Sequence, residues 1–176
     1  SSAASDVYKR QIEAWTGGRD GKGVIHATRT GYYIYKFIDP NLDLLQNRTS
    51  VHHWVIMRYA EILLSYAEAM NEAYGPTGNV GYRLNAVRAL NQVRNRVGVE
   101  MPAVPTAISK EELREKIRNE RRVELAFEDH RFWDVRRWMI APETLGAPLR
   151  GVEITKISDE EFEYNPIEVE KRTFEP

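Results

Sequence analysis

From Trp54 to Tyr74 apolar residues recur at every third or fourth position. Val55, Tyr59, Ile62, Tyr66 and Met70 form one stripe, with Leu63, Ala67 and Tyr74 beside it. That period buries one face of an α-helix, so the stretch predicts an amphipathic helix of about five turns. Gly75 at C′ and Pro76 just beyond it supply the stop. A second stripe, Ala86, Leu90, Val93 and Val97, predicts a helix from about Gly81 to Val97, closed by Gly98. The short connector makes an antiparallel helical hairpin the natural arrangement. Ser109 and Glu112 then form a capping-box pattern, which starts a third helix at Lys110 and carries it to about Phe127. A fourth, short helix is expected over Arg131 to Met139.

Elsewhere the helical period is absent. "EAWTGGRDGKGVIHATRT" is glycine-rich and reads as loop. In "TGYYIYKFID" the residues alternate, with Tyr33, Tyr35 and Phe37 on one face and Tyr32, Ile34 and Lys36 on the other, which predicts a short aromatic strand. The tail after Pro142 is acidic and irregular, with a strand expected at Val152 to Ile157.

Spacing within the helical hairpin is that of a tetratricopeptide unit. Tyr59, Ile62 and Tyr66 match the aromatic and aliphatic positions of its first helix; Ala86, Leu90 and Val93 match the small–large–medium positions of its second. The small residue lets two helices approach and the aromatics fill the groove. The gap between the two sets is about ten residues longer than in the standard repeat, so a divergent repeat and a plain helical hairpin both remain open.

Length and composition narrow the class. The 176 residues make one domain or a large piece of one, and 42% hydrophobic with 29% charged is ordinary for a globular protein. A net charge of −1 argues against a polyanion binder and a strongly membrane-attracted surface, so no nucleic-acid partner is expected. With no cysteine there is neither a disulfide frame nor a thiolate metal site. No apolar run approaches a membrane span, and no signal peptide is visible. The chain opens "SSAASDVYKRQ" without Met and closes "EVEKRTFEP" as if within a strand. Residues 1–11 resemble translated adapter sequence and are expected to be a non-native leader; residues 12–176 are expected to be an internal fragment of a longer frame, with a helical core over about 54–140.

Candidate chemistry concentrates in "RNERRVELAFEDHRFWDVRRW", Arg118 to Trp138, which holds six arginines, five carboxylates and two tryptophans. Helical spacing lines up Leu113, Ile117, Glu120, Glu124 and Phe127, so two glutamates lie on an otherwise apolar line. A carboxylate there needs a partner. The nearby arginines 118, 121, 122, 131, 136 and 137 are the expected partners, in an ion-pair network that locks two helices together. The competing reading is catalytic: Glu120, Glu124, Glu128, Asp129, His130 and Asp134 would supply acid and base. Neither Glu-x-x-His nor His-x-x-x-His occurs in the cluster, so no metal is expected. His52 and His53 are adjacent and point apart, at the helix entrance. "GGRDGKG" falls short of a phosphate-binding loop, because three residues rather than four separate Gly17 from Gly21 and neither Ser nor Thr follows Lys22.

Three segments in order, "RYAEILLSYAEAMNEA", "LNQVRNRVG" and "NERRVELAFEDHRFWDVRRW", preceded by "TGYYIYKFID", resemble the C-terminal part of SusD/RagB proteins over roughly Gly31 to Met139. The resemblance implies a mainly α fold of tetratricopeptide-like helical hairpins, SusD-like, with irregular loops and one or two short strands. It implies a surface-exposed outer-membrane lipoprotein of a Gram-negative bacterium. Its role would be non-enzymatic: capture of a nutrient, an oligosaccharide for most members, without cofactor, for delivery to a SusC-type TonB-dependent transporter. The membrane attachment would be a lipid anchor on an N-terminus outside this chain. On this resemblance Arg58, Glu61, Glu68, Glu120, Arg121, Arg122, Glu124, Arg131, Trp133, Asp134, Arg137 and Trp138 are a structural signature. Family members often carry glycine where this chain has Asp129, a turn position that can require φ > 0 and that Asp tolerates.

Ligand residues do not carry over from the resemblance. Sugar rings stack on exposed aromatics, and Trp15, beside Arg19 and Asp20 in the glycine-rich loop, is the local candidate. Its competing role is to cover a core edge. Tyr32 and Tyr33 are expected to pack as strand residues, and Trp54, Trp133 and Trp138 as core. A tetratricopeptide-type protein–protein interaction module, binding no sugar, is the alternative function.

Overall fold

The structure is a computed structural model that describes residues 12–39, 42, 46–51, 53 and 55–174. His52, Trp54 and the leader 1–11 lie outside the described residues. The chain divides into two compact units, Trp54–Asp134 and Ser1–His53 with Val135–Pro176. It is mostly helical, with two strands among the described residues.

In the first unit, α1 (Tyr59–Tyr74), α2 (Ala86–Arg94) and α3 (Lys110–Glu124) share one apolar core. α1 packs against both of the others. It contributes Leu63, Leu64, Ala67 and Met70; α2 contributes Ala86, Val87, Ala89, Leu90 and Val93; α3 contributes Leu113 and Ile117. Ala67, Ala86 and Ala89 are fully buried, and their small side chains let the helix axes come close. Two amides tie loops to this core. Asn71 donates from Nδ2 to the Lys110 carbonyl at 2.9 Å, and Asn91 exchanges two hydrogen bonds with the Val104 backbone.

The elements start and stop for local reasons. α1 begins at Tyr59, not at Trp54, and Arg58 is its extended N-cap. Arg58 offers no cap because a guanidinium has no acceptor for the first amides; it donates instead to Glu128. Gly75 ends α1 at φ 76°, the glycine conformation expected there. α2 is shorter than its sequence pattern, since Gly81 sits at φ 86° and Asn85 caps the helix by accepting from the Arg88 amide at 2.8 Å. Val97 therefore falls past the helix end and is 95% exposed. The Ser109–Glu112 capping box forms in full. α3 stops at Glu124, and a turn over 125–129 throws Phe127 outward with φ 63°. Asp129 takes φ 61°, the left-handed conformation anticipated for it. α4 spans His130–Arg137.

Two features of the apolar stripe differ from the sequence reading. Tyr59 is 69% exposed and Ile62 is exposed as well, while the neighbouring row Leu63, Leu64, Ala67 and Met70 is buried. α1 turns Leu63, Leu64, Ala67 and Met70 to the core, with Tyr66 partly buried against it and Tyr59 left outside. Trp133, expected in the core, is 66% exposed, because Asp134, Val135 and Trp138 take the inward face of the segment.

The second unit holds α5 (Ala141–Leu145) and an antiparallel hairpin, β1 (Leu149–Lys156) with β2 (Phe162–Glu170). β1 covers the strand expected at Val152 to Ile157 within a few residues. β2 lies in the acidic tail and contains Pro166, a residue that ordinarily argues against a strand. Pro166 pairs with Val152, whose amide turns away from β2 to donate to Thr30 at 2.8 Å. The position is thus a non-hydrogen-bonded pair, and proline's missing N–H removes no rung. Along the other edge of β1 runs the glycine-rich segment, joined by Thr16 N to Ile154 O at 2.8 Å. Gly31 permits this approach: a Cβ there would lie 2.2 Å from the Val152 carbonyl oxygen. The segment "TGYYIYKFID" is not a strand; residues 32–35 pair with no neighbour and Phe37 takes φ 66°.

Candidate functional site

The charged cluster is consumed by contacts within the helical unit. Arg58 lies in front of α1 and forks onto Glu128 with Nε at 2.8 Å and Nη2 at 2.8 Å, while Nη1 reaches Glu124 at 2.5 Å and Nη2 also donates to the Glu124 carbonyl. Glu124 takes a second guanidinium, Arg96, at 2.7 Å. Glu120, one helical turn earlier, pairs with Arg94 at 2.5 Å. Arg94 also donates twice to the Pro102 carbonyl, closing the loop between α2 and α3. Arg121 points to Asp134 at 3.0 Å, each side chain 5% exposed, and donates to Ser65 Oγ on α1.

These partners correct the local expectation. Glu120 and Glu124 are matched by Arg94, Arg96 and Arg58, which lie 26, 28 and 66 residues away in the chain and outside the cluster. The hydrogen bond to Glu128 chiefly raises the Arg58 guanidinium above its ordinary value, with Glu124 adding to it. Arg131 moves the other way, lowered by burial first and then by the Arg122 charge. His130 lies 3.6 Å from Glu61. Glu68 is half-buried and Arg122 exposed. Arg137 stacks 4.7 Å over Trp138, a cation–π contact. The carboxylates proposed for acid–base work thus have guanidinium partners at Glu120, Glu124, Glu128 and Asp134, and Asp129 is exposed on its turn.

Trp15 belongs to the other unit and is half-buried. Its ring lies 5.5 Å from Phe162, and Lys156 Nζ sits 5.1 Å above it. The loop around it is self-braced. Asp20 accepts from the Glu13 amide at 3.0 Å and pairs with Arg19 at 3.1 Å. The Glu13 amide bond, then Arg19, lowers the Asp20 carboxyl. Gly21 carries no side chain because a Cβ would lie 2.2 Å from the Trp15 carbonyl oxygen. Tyr33, rather than packing in a strand, props this loop by donating its hydroxyl to the Asp20 carbonyl at 2.6 Å; Tyr32 is exposed. His53 is exposed. Among the described residues no group of three or more His, Asp or Glu side chains is placed to hold a metal, and no helix is long and apolar enough to cross a membrane.

Four acids of the cluster are thus paired with arginines inside a helical scaffold. Comparison with known proteins places the chain in a family. The family model described as the SusD family matches residues 2–175, and the chain belongs to the SusD/RagB family. It is 34% identical over 120 residues to SusD-like protein P2 of Formosa agariphila, covering 65% of this chain and 22% of that protein. To SusD-like protein P38 of the same organism it is 35% identical over 104 residues, covering 56% of this chain and 19% of that protein. The crystal structure of a SusD-like protein from Bacteroides fragilis superposes with a TM-score of 0.64 at 38% identity, over 85% of this chain and 26% of that one. The chain therefore spans about a fifth to a quarter of the length of these relatives. The family's members are in general non-enzymatic, outer-membrane-associated nutrient-binding proteins that partner SusC-type transporters.

Proposed function

We propose that this chain is part of a glycan-capture protein at the cell surface, held by a lipid anchor and delivering oligosaccharide to a SusC-type TonB-dependent transporter. On this reading residues 12–176 belong to the C-terminal part of the longer protein. The observation that carries it is the family match over residues 2–175. The spent charge cluster fits the same reading, since ion pairs that brace helices leave no free acid–base couple there. Within this chain Trp15 is the candidate sugar platform: its ring is only half-buried, and its loop is rigidly braced.

The test is binding of the full-length protein to an array of oligosaccharides, with co-purification of the adjacent transporter from outer membranes. Retention on at least one glycan and recovery of the transporter are expected. A full-length protein that retains no glycan and enriches no transporter would sink the proposal. Trp15→Ala should weaken glycan retention without lowering the melting temperature; loss of stability with unchanged binding would make Trp15 a core-edge residue.

A further inference from the structure

A groove of about 1050 Å³ lies between α1, the 75–85 connector and α2. Its walls are fixed from behind. Tyr66 donates its hydroxyl to the Leu84 carbonyl at 2.8 Å, the Val87 amide donates to Pro76 at 3.1 Å, and the Tyr74 and Tyr82 rings meet at 6.0 Å. Asn91 is held by Val104. The rim is different: Tyr59 and Tyr82 are exposed, as are Arg83, Arg88, Gln92 and Asn95. The side chains of Arg83, Arg88, Gln92 and Asn95 make no hydrogen bond or ion pair among the described residues. Among the described residues no carboxylate lines the groove.

We propose, resting on the glycan-capture reading, that this groove binds an oligosaccharide bearing a carboxylate or sulfate group. Tyr59 and Tyr82 offer ring faces to the apolar faces of sugars, and Gln92 and Asn95 offer amides to hydroxyls. Arg83 and Arg88 supply planar donors that match the paired oxygens of a carboxylate or sulfate. The near-zero net charge of the chain conceals this local surplus of two cations. Pre-set walls reduce the ordering that ligand binding must impose.

The test is calorimetric titration of the full-length protein with oligogalacturonate, its methyl ester, a sulfated galactan oligosaccharide and a neutral malto-oligosaccharide. Parallel titrations use R83Q/R88Q and Tyr82→Ala. Binding of an anionic probe is expected, weakening with salt and falling roughly ten- to hundred-fold in R83Q/R88Q. The pair of anionic probes separates carboxylate from sulfate, and the methyl ester controls for sugar contacts alone. Glycan binding that R83Q/R88Q leaves unchanged overturns this site while the capture reading stands; no glycan binding at all overturns both. Nitration of the ligand-free protein closes the remaining route: if Tyr59 and Tyr82 are shielded, the groove is filled by protein and the site is overturned.

Discussion

Two sets of arginines in the helical unit stand in contrast. Arg58, Arg94 and Arg96 each meet a mostly buried carboxylate on a segment remote in sequence, and Arg121 meets buried Asp134 within the cluster itself. Arg83 and Arg88 line the groove and meet none among the described residues. One residue type thus has two fates, and burial separates them. A carboxylate pressed into the core, as Glu124 is, must be matched within the chain or cost several kcal/mol. A guanidinium in water has no such need and stays available to a ligand.

Breaking a member of the first set should have the largest effect. Glu124→Ala leaves Arg58 and Arg96 short of a partner and is expected to lower stability by roughly 3 kcal/mol, read by urea denaturation. A loss below about 1 kcal/mol would mean the network behaves like a surface ion pair. Next comes the α3 cap. Ser109→Ala removes an acceptor for the Glu112 amide and should cost about 1 kcal/mol. The cap is local, so its cost should add to that of Glu124→Ala; strong coupling between the two would show that α3 frays as one piece with the network.

A smaller effect is expected from acid. The Glu72 carboxyl is drawn below its ordinary 4.5, chiefly by hydrogen bonds from Arg114. Its folded value is lower than its unfolded one, so its contribution is complete above about 4.5 and fades as pH falls through the lower folded value. Melting curves of the wild type and Glu72→Gln should therefore differ more at about pH 6 than at about pH 3. An equal gap at both pH values would remove the pair from the account. Smallest of all, R83Q/R88Q should change stability by no more than about 0.5 kcal/mol, since neither side chain has a partner to lose. A larger loss would move these two arginines into the first set.

Much of the helical unit is legible in its residues because the signals are local. The period of α1, the Gly75 stop and the Ser109–Glu112 box each act within one or two turns, and each appears in the structure. The boundaries of α2 were less legible: its apolar period runs on to Val97, but the helix ends at Arg94. β2 lies in the tail that reads as acidic and irregular, and only the register shows that its Pro166 breaks no rung. "TGYYIYKFID" alternates like a strand, but it meets β1 through its first residue, Thr30, and Phe37 at φ 66° leaves extended geometry. For the candidate sites, Trp15 could be named from its setting of glycines and charges, whereas the groove joins residues 59, 82, 83 and 88, which no single motif links.

Sequence by itself determined that the chain is mainly helical, that Glu120 and Glu124 need partners, and that the family is SusD/RagB, because periodicity, caps and motif order are short-range properties of the chain. Tertiary structure alone decided which arginines answer those glutamates and which are left over. Ion pairing depends on distance in space, and helix packing brought Arg58, Arg94 and Arg96 to the glutamates while leaving the six arginines of the cluster to other positions. The same packing turned Tyr59 outward and set it across a groove from Arg83 and Arg88.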